Sequence, residues 1–438
     1  MREADSNQHP ILRTLFNKRS IRMSTLASRD AIPPANTFSR KLLRGVVAGA
    51  LLAVSIWFLA YTTSTESIAN RDFIEYWAAG QQLMHGANPY DANQIFALER
   101  SVGKHKLAPI IMFNPPSGLF LTLPLGMVRP KAGYLLWSLF VLGAWLGSIH
   151  MIWVMNGRPS NRLHSIGYFF APAIACFLLG QMAAFVLFGL TLFLYLHRRR
   201  PMLAGAALVL CALKPHLLLP FGVVLLVWAV SHKSYRLLSG AAIALAISCL
   251  VPVIFDPSIY GQYTAMARTS SVKAAFIPTL SELLRFAIKP DDFWLEFLPA
   301  VAGCLWAIWY FRRYRNVWDW NTHGLLLVPV SFLVAPYAWF FDAIILLPSL
   351  LYAAYRARPS ALAVLFGLLA IAGLPLLLFT PTQSAWFVWS SPAWLAWYVW
   401  TIRRGPTSPP SQRGLSLDRL FRMRETDSNR LPALLQGK

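Results

Sequence analysis

Few residues in this chain could do chemistry, and they stand out against an apolar background. Taking a proton from a hydroxyl during group transfer is most readily done by a carboxylate, so the acids come first. No Asp or Glu occurs between Arg100 and Phe255. Asp72 and Glu75 precede that gap, with Asp91 and Glu99; Asp256, Glu282, Asp291, Asp292 and Asp342 follow it. Asp72 heads a stretch in which Phe73, Tyr76, Trp77, Leu83 and Met84 recur at roughly helical spacing, which predicts an amphipathic helix lying on a membrane surface. A carboxylate there either reaches toward a substrate hydroxyl or caps the helix by accepting its free backbone N–H groups.

Asp342, in Phe340-Phe341-Asp342, enters an apolar run where an unpaired charge is costly, so it serves either function or an ion pair with a residue such as Lys214. Lys214 and His216 flank Pro215 between two apolar segments. Two cationic or donor groups in one turn suit an anionic leaving group such as a phosphate. The alternatives are a Lys extended to the interface and a His closing a helix end. Gln181, after Gly180, suits a polar cavity or a bond between packed helices.

The elements that position these residues are set by composition. Of 438 residues, 56% are hydrophobic and only 13% charged, more apolar surface than a soluble domain can hide. An all-α polytopic membrane protein is the expected class, and stretches such as Leu42 to Tyr61, Ala132 to Met155 and Arg236 to Phe255 reach the ~20 residues a crossing needs. The formal charge of +22 lies mainly in the tails and in short connections between apolar segments. That is the pattern of positive-inside topology, and no basic face with interleaved aromatics points to nucleic acid. Cys176, Cys211, Cys249 and Cys304 sit inside apolar segments without a CxxC spacing, so neither a disulfide framework nor a metal site is expected.

The Lys- and Arg-bearing connections are 157–164, 197–200, 232–236, 312–315 and 356–358. Holding these inside sends the turns at Gly180-Gln181, Lys214-Pro215-His216 and Ala335-Pro336-Tyr337 to the opposite face. The same argument makes 62–116 a structured first extracytoplasmic loop and 256–293 a second large one. Residues 1–41 and 403–438 become basic cytoplasmic tails, with 42–402 the membrane domain and Leu42 to Tyr61 a signal anchor. The expectation is a multi-pass plasma (inner) membrane protein of about twelve spans, in a range of about eleven to thirteen, with both termini cytoplasmic. Phe113 to Val128 carries Pro115, Pro116 and Pro124 and either crosses or re-enters. Met202 to Leu213 and Leu217 to Val230 are too short for upright crossings; broken helices lining a polar cavity near Lys214 and His216 would account for them.

The blocks DFIEYWAAGQQLMHGANPYD (Asp72 to Asp91), FNPPSGLFLTLP (Phe113 to Pro124), Gly180-Gln181, Lys214-Pro215-His216 and APYAWFFD (Ala335 to Asp342) stand in order along the chain. Together they resemble glycosyltransferase family 87, the polyprenol-phosphate-mannose-dependent mannosyltransferase-like membrane proteins of the GT-C class. Charge-derived topology, which uses none of these blocks, puts all five on one face. The resemblance implies a GT-C-like bundle and a polyprenyl-phosphate sugar donor, with a hexose such as mannose moved to a lipid or glycan acceptor. It implies Asp72 as general base and Lys214 and His216 at the donor phosphate, with Tyr76, Trp77, Asn114, Gln181, Tyr337 and Asp342 around the substrate cavity. His216 stands where the family commonly has Gln, and Ala335 where it has Ser. No cofactor or metal ion is expected. A membrane transporter or flippase is the rival reading, since broken helices around a polar cavity also describe carriers, though no internal duplication supports it.

Overall fold

The computed structural model describes residues 64–105, 108–269, 276–378 and 384–404, and the regular structure among them is helical. The expected anchor at Leu42 to Tyr61, the N-terminal tail and nearly all of the C-terminal tail lie outside the described residues. The first loop holds α1 (Phe73–Met84) and α2 (Ala92–Ser101), followed by α3 (Leu119–Gly126), α4 (Pro130–Met155), α5 (Ala171–Leu179), α6 (Ala183–Leu196) and α7 (Pro201–Ala207). Then come α8 (Leu219–Ser231), α9 (Tyr235–Phe255), α10 (Ile259–Thr269), α11 (Leu280–Ile288), α12 (Leu298–Tyr314), α13 (Leu325–Leu333), α14 (Leu347–Ala354), α15 (Pro359–Leu377) and α16 (Ser390–Arg404). Among the described residues, 4 helices are long and apolar enough to cross a bilayer, or up to 6 if each of two bent pairs counts as one crossing. Other apolar segments are interrupted by Pro or Gly, and the pieces, such as Ala183–Leu196, fall short of the ~20 residues of an upright crossing.

Proline explains the sharpest break. Pro215 excludes Lys214 from helical backbone by clashing with its N–H and Cβ, and Lys214 accordingly sits at φ −137°, ψ 69°. The two halves, Pro201–Leu213 and Pro215–Ser231, meet at 119°. The Asn114 side chain donates to the Leu213 carbonyl at 2.8 Å, satisfying an acceptor that the break would orphan. Phe113 to Val128 does not form one long helix: a 3-10 turn at Pro116–Gly118 leads into the eight residues of α3, about 12 Å of rise, so this piece alone cannot cross.

One sequence expectation is corrected at α1. The helix does not lie on a surface; Phe73 to Gly80 are buried all the way round. Its neighbour is α3, which it meets backbone to backbone. A Cβ on Gly80 would stand 2.2 Å from the Thr122 carbonyl oxygen, and one on Gly126 2.3 Å from that of Gly80. Small residues permit this approach between membrane helices, and α7 and α9 repeat the device at Gly205 and Gly240.

Several basic connections are tied to neighbouring elements: Arg198 pairs with Asp319 at 2.5 Å, Arg356 donates to Asn156 at 2.9 Å, and His232 packs against Phe311. The chemistry-bearing turns gather instead around a cavity.

Candidate active site

Gly180 supplies the first fixed point of that cavity. It ends α5 in the left-handed conformation (φ 75°), which glycine adopts without a Cβ penalty. The Gln181 N–H donates to the Cys176 carbonyl at 2.9 Å and the Gly180 N–H to Phe177 at 3.1 Å, the paired bonds of a Schellman turn. Trp137 Nε1 locks the turn by donating to the Gly180 carbonyl at 2.6 Å. Gln181 is thereby aimed at Asp72, to which its Nε2 donates at 2.7 Å.

Asp72 occupies the N-cap position of α1 but makes no capping bond, so the capping expectation is corrected: its carboxylate turns to Gln181 instead. The Gln181 Oε1 accepts from the Tyr76 hydroxyl at 3.1 Å and from Lys214 Nζ at 3.1 Å. Lys214 and Asp72 fix the amide's orientation, since the flipped amide would set N–H against the ammonium and oxygen against the carboxylate. Lys214 also donates to Asp342 Oδ1 at 2.8 Å, and Asp342 Oδ2 accepts the Trp339 N–H at 3.0 Å. Lys214 is only 6% exposed and Asp342 0%. Lys214 therefore does not extend to the interface, and the ion-pair role weighed for Asp342 is present in the fold.

These groups line, or lie just behind, a cavity of about 560 Å³. Of the residues singled out by sequence, Asp72, Tyr76, Asn114, Gln181, Lys214, His216 and Tyr337 face it. Asp342 stands behind Lys214. Trp77 does not reach the cavity; its indole donates to the Val128 carbonyl at 2.9 Å on the far side of α1. The His216 ring lies on Tyr337 with centroids 3.9 Å apart. Its Nε2 is buried and without a hydrogen-bond partner, a donor or acceptor left for something in the cavity.

Sequence reading missed most of the remaining wall. Residues 108–111, Tyr263, Phe293, Phe297, Trp339 and Phe341 belong to it, and they come from a loop, the short helix α10 and 3-10 turns, whose packing no periodicity announces. Glu99 supports the first of these segments, its carboxylate accepting from Lys104 at 2.8 Å and from the Ile110 N–H at 3.0 Å. Glu75 also lines the cavity. Burial, with Asp72's charge adding to it, holds its carboxyl well above the usual carboxylate range, and no ion pair to it forms among the described residues. Two neighbouring carboxyls thus sit in different environments, one bonded to an amide donor and one desolvated. No group of three His, Cys, Asp or Glu fit to hold a metal occurs among the described residues.

Apolar helices of crossing length, together with a cavity lined by Asp72, Glu75, Lys214 and His216, define a helical membrane protein with a chamber fit for binding or reaction. The sequence profile of glycosyltransferase family 87 matches residues 113–336, just over half of the chain, and the chain belongs to that family; it is a membrane glycosyltransferase. The matched segment contains Asn114, Gln181, Lys214 and His216 and begins after Asp72. No curated protein and no solved structure matches the chain.

Proposed function

We propose that the enzyme transfers a sugar, a hexose such as mannose, from a polyprenyl-phosphate donor to a lipid or glycan acceptor at the extracytoplasmic face. Asp72 takes the proton from the acceptor hydroxyl as that oxygen attacks the anomeric carbon. The bond from that carbon to the phosphate oxygen breaks with inversion, and the departing polyprenyl phosphate carries the new negative charge toward Lys214 and His216. Tyr76, Asn114, Gln181 and Tyr337 enclose the reactants. The arrangement suits a bundle of about twelve spans in the plasma membrane with both termini cytoplasmic, all five chemical turns then opening outward.

One observation carries this reading: Asp72 and Lys214 bond opposite ends of the same Gln181 amide, at 2.7 and 3.1 Å, on the wall of a single cavity. A base and an anion-holding cation thus share one chamber, which transition-state charge stabilisation requires. The buried, unpartnered His216 Nε2 supplies a further contact for the phosphate.

The test is transfer from labelled polyprenyl-phosphate sugars to a membrane lipid extract by purified protein in vesicles. Asp72→Asn is expected to abolish transfer while the protein stays folded, and Lys214→Ala to raise the donor concentration needed more than the acceptor concentration. Full activity of the Asp72→Asn protein would remove the proposed base, and an unchanged donor requirement would remove Lys214 from the donor site.

A further inference from the structure

The helix α11 is built inside out for a helix in water. Its protein-facing side carries Ser281, Glu282 and Arg285, all buried, and Glu296 joins them from the following turn. Arg285 pairs with Glu282 at 2.5 Å and with Glu296 at 2.9 Å. The Ser281 hydroxyl donates to the Ala335 carbonyl at 2.9 Å and that of Thr279 to Pro336 at 3.4 Å, stitching the helix to the turn that carries Tyr337. Its outward side is apolar: Leu283, Phe286 and Ile288 are 42%, 48% and 60% exposed, and Trp294 beyond them is 58% exposed. Charges inward and hydrocarbon outward is the arrangement of a surface whose solvent is lipid.

Three observations say what covers that face. It continues into Leu298, Val301 and Leu305, which are exposed on the adjoining helix, part of a segment long and apolar enough to cross a membrane. The nine residues of α11 rise only about 13 Å, too little to cross ~30 Å of hydrocarbon. At its end Lys289, 62% exposed, pairs with the half-buried Asp292 at 3.0 Å, which marks a return to water. We propose that α11 and the turn to Phe297 form an interfacial surface whose partner is bilayer lipid, with Leu283, Phe286, Ile288 and Trp294 set among the acyl chains just below the headgroups. Phe293 and Phe297 of that turn also line the cavity, so the lipid contact braces one wall of the active site. This assignment depends on the bilayer and not on donor chemistry.

The full chain, with Cys211, Cys249 and Cys304 replaced by Ala and the fully buried Cys176 kept, is reconstituted in phosphatidylcholine vesicles. A single Cys is introduced by Leu283→Cys, Phe286→Cys or, as a control on the exposed face of α2, Asn93→Cys, and labelled with a fluorophore. Labels at 283 and 286 are expected to be quenched several-fold more by phosphatidylcholine bearing a nitroxide near its headgroup than by aqueous iodide, and the label at 93 to show the reverse. Dominant iodide quenching at 283 and 286 overturns the proposal, and so does shielding from both quenchers, which means that protein covers the face. Should the cysteine variants misfold, footprinting of the unaltered chain decides. A lipid-borne carbene precursor is expected to modify Leu283, Phe286, Ile288 and Trp294 and a water-soluble one to spare them; the opposite pattern overturns the assignment. Neither readout involves sugar transfer, so an inactive Asp72 or donor hypothesis leaves it standing.

Discussion

Gln181 is the residue on which the chamber turns, and its neighbours make its contribution measurable. Its amide donates to Asp72 while accepting from Tyr76 and Lys214. Gln181→Glu keeps the shape but sets a second carboxylate at the position now 2.7 Å from Asp72. Like charges so close favour protonation, so the acid limb of the pH–activity curve is expected to move up by on the order of one unit; a curve that stays in place would deny that Gln181 tunes the base. Gln181→Leu removes a hydrogen bond to a charged group, worth roughly 1.5–3 kcal/mol, and transfer should fall by about 10- to 100-fold. Glu75 offers a separate pH test. Its carboxyl is raised by burial first and by Asp72 second, so the native state keeps a proton that the unfolded chain releases in the ordinary carboxylate range. Stability is therefore full below that range and is lost as pH rises through the native value. Glu75→Gln has no proton to lose, and its thermal unfolding temperature in detergent is expected to fall less than wild type's between about pH 5 and 8. Parallel curves for the two proteins would show that Glu75 is ionised in the fold.

At the scale of elements, the site is made by interruptions of helices rather than by helices. The αL residue Gly180 stops α5 and aims Gln181; Pro215 stops the segment before it and turns Lys214 and His216 into the cavity. Any side chain at position 180 meets two penalties. The left-handed conformation costs a non-glycine residue about 1–2 kcal/mol, and a Cβ there would stand 2.9 Å from that of Phe73, the residue next to Asp72. Gly180→Ala is thus expected to lower the unfolding temperature and to reduce transfer more than a matched change at Gly143, where an added Cβ meets nothing within 4 Å. Equal effects at the two glycines, read by unfolding and by turnover, would mean that the turn does not aim the site.

Across the whole molecule, what the sequence made legible was which turns belong together: if Lys and Arg mark one face, the remaining turns are expected to share the other. Asp72, Gln181, Lys214 and Tyr337, far apart in the chain, were brought to one chamber by that reasoning, and the cavity contains all four. Trp77 was misplaced because helical spacing cannot say which side of a fully buried helix faces a cavity, and the wall from Tyr263, Phe293 and Phe297 was missed because a short helix and a 3-10 turn leave too little period to say what they pack against. The pair that joins the two halves of the chain, Lys214 and Asp342, is where structure and function can be separated. Both are buried and 2.8 Å apart, and removing one partner of a buried pair leaves an uncompensated charge at about 3–5 kcal/mol. Asp342→Asn alone, or Lys214→Met alone, should therefore destabilise the protein markedly. The double variant Lys214→Met/Asp342→Asn has no buried charge there, and Asn can still accept the Trp339 N–H that Asp342 now accepts. Its unfolding temperature is expected to recover most of the loss, since neutral replacements of buried pairs are often tolerated, while transfer keeps the raised donor requirement of a protein without Lys214, because no cation remains there to receive the leaving phosphate. A double variant no more stable than the single ones would place the pair's importance elsewhere than charge compensation, and one that transfers sugar at the wild-type rate would show that Lys214 serves only the fold.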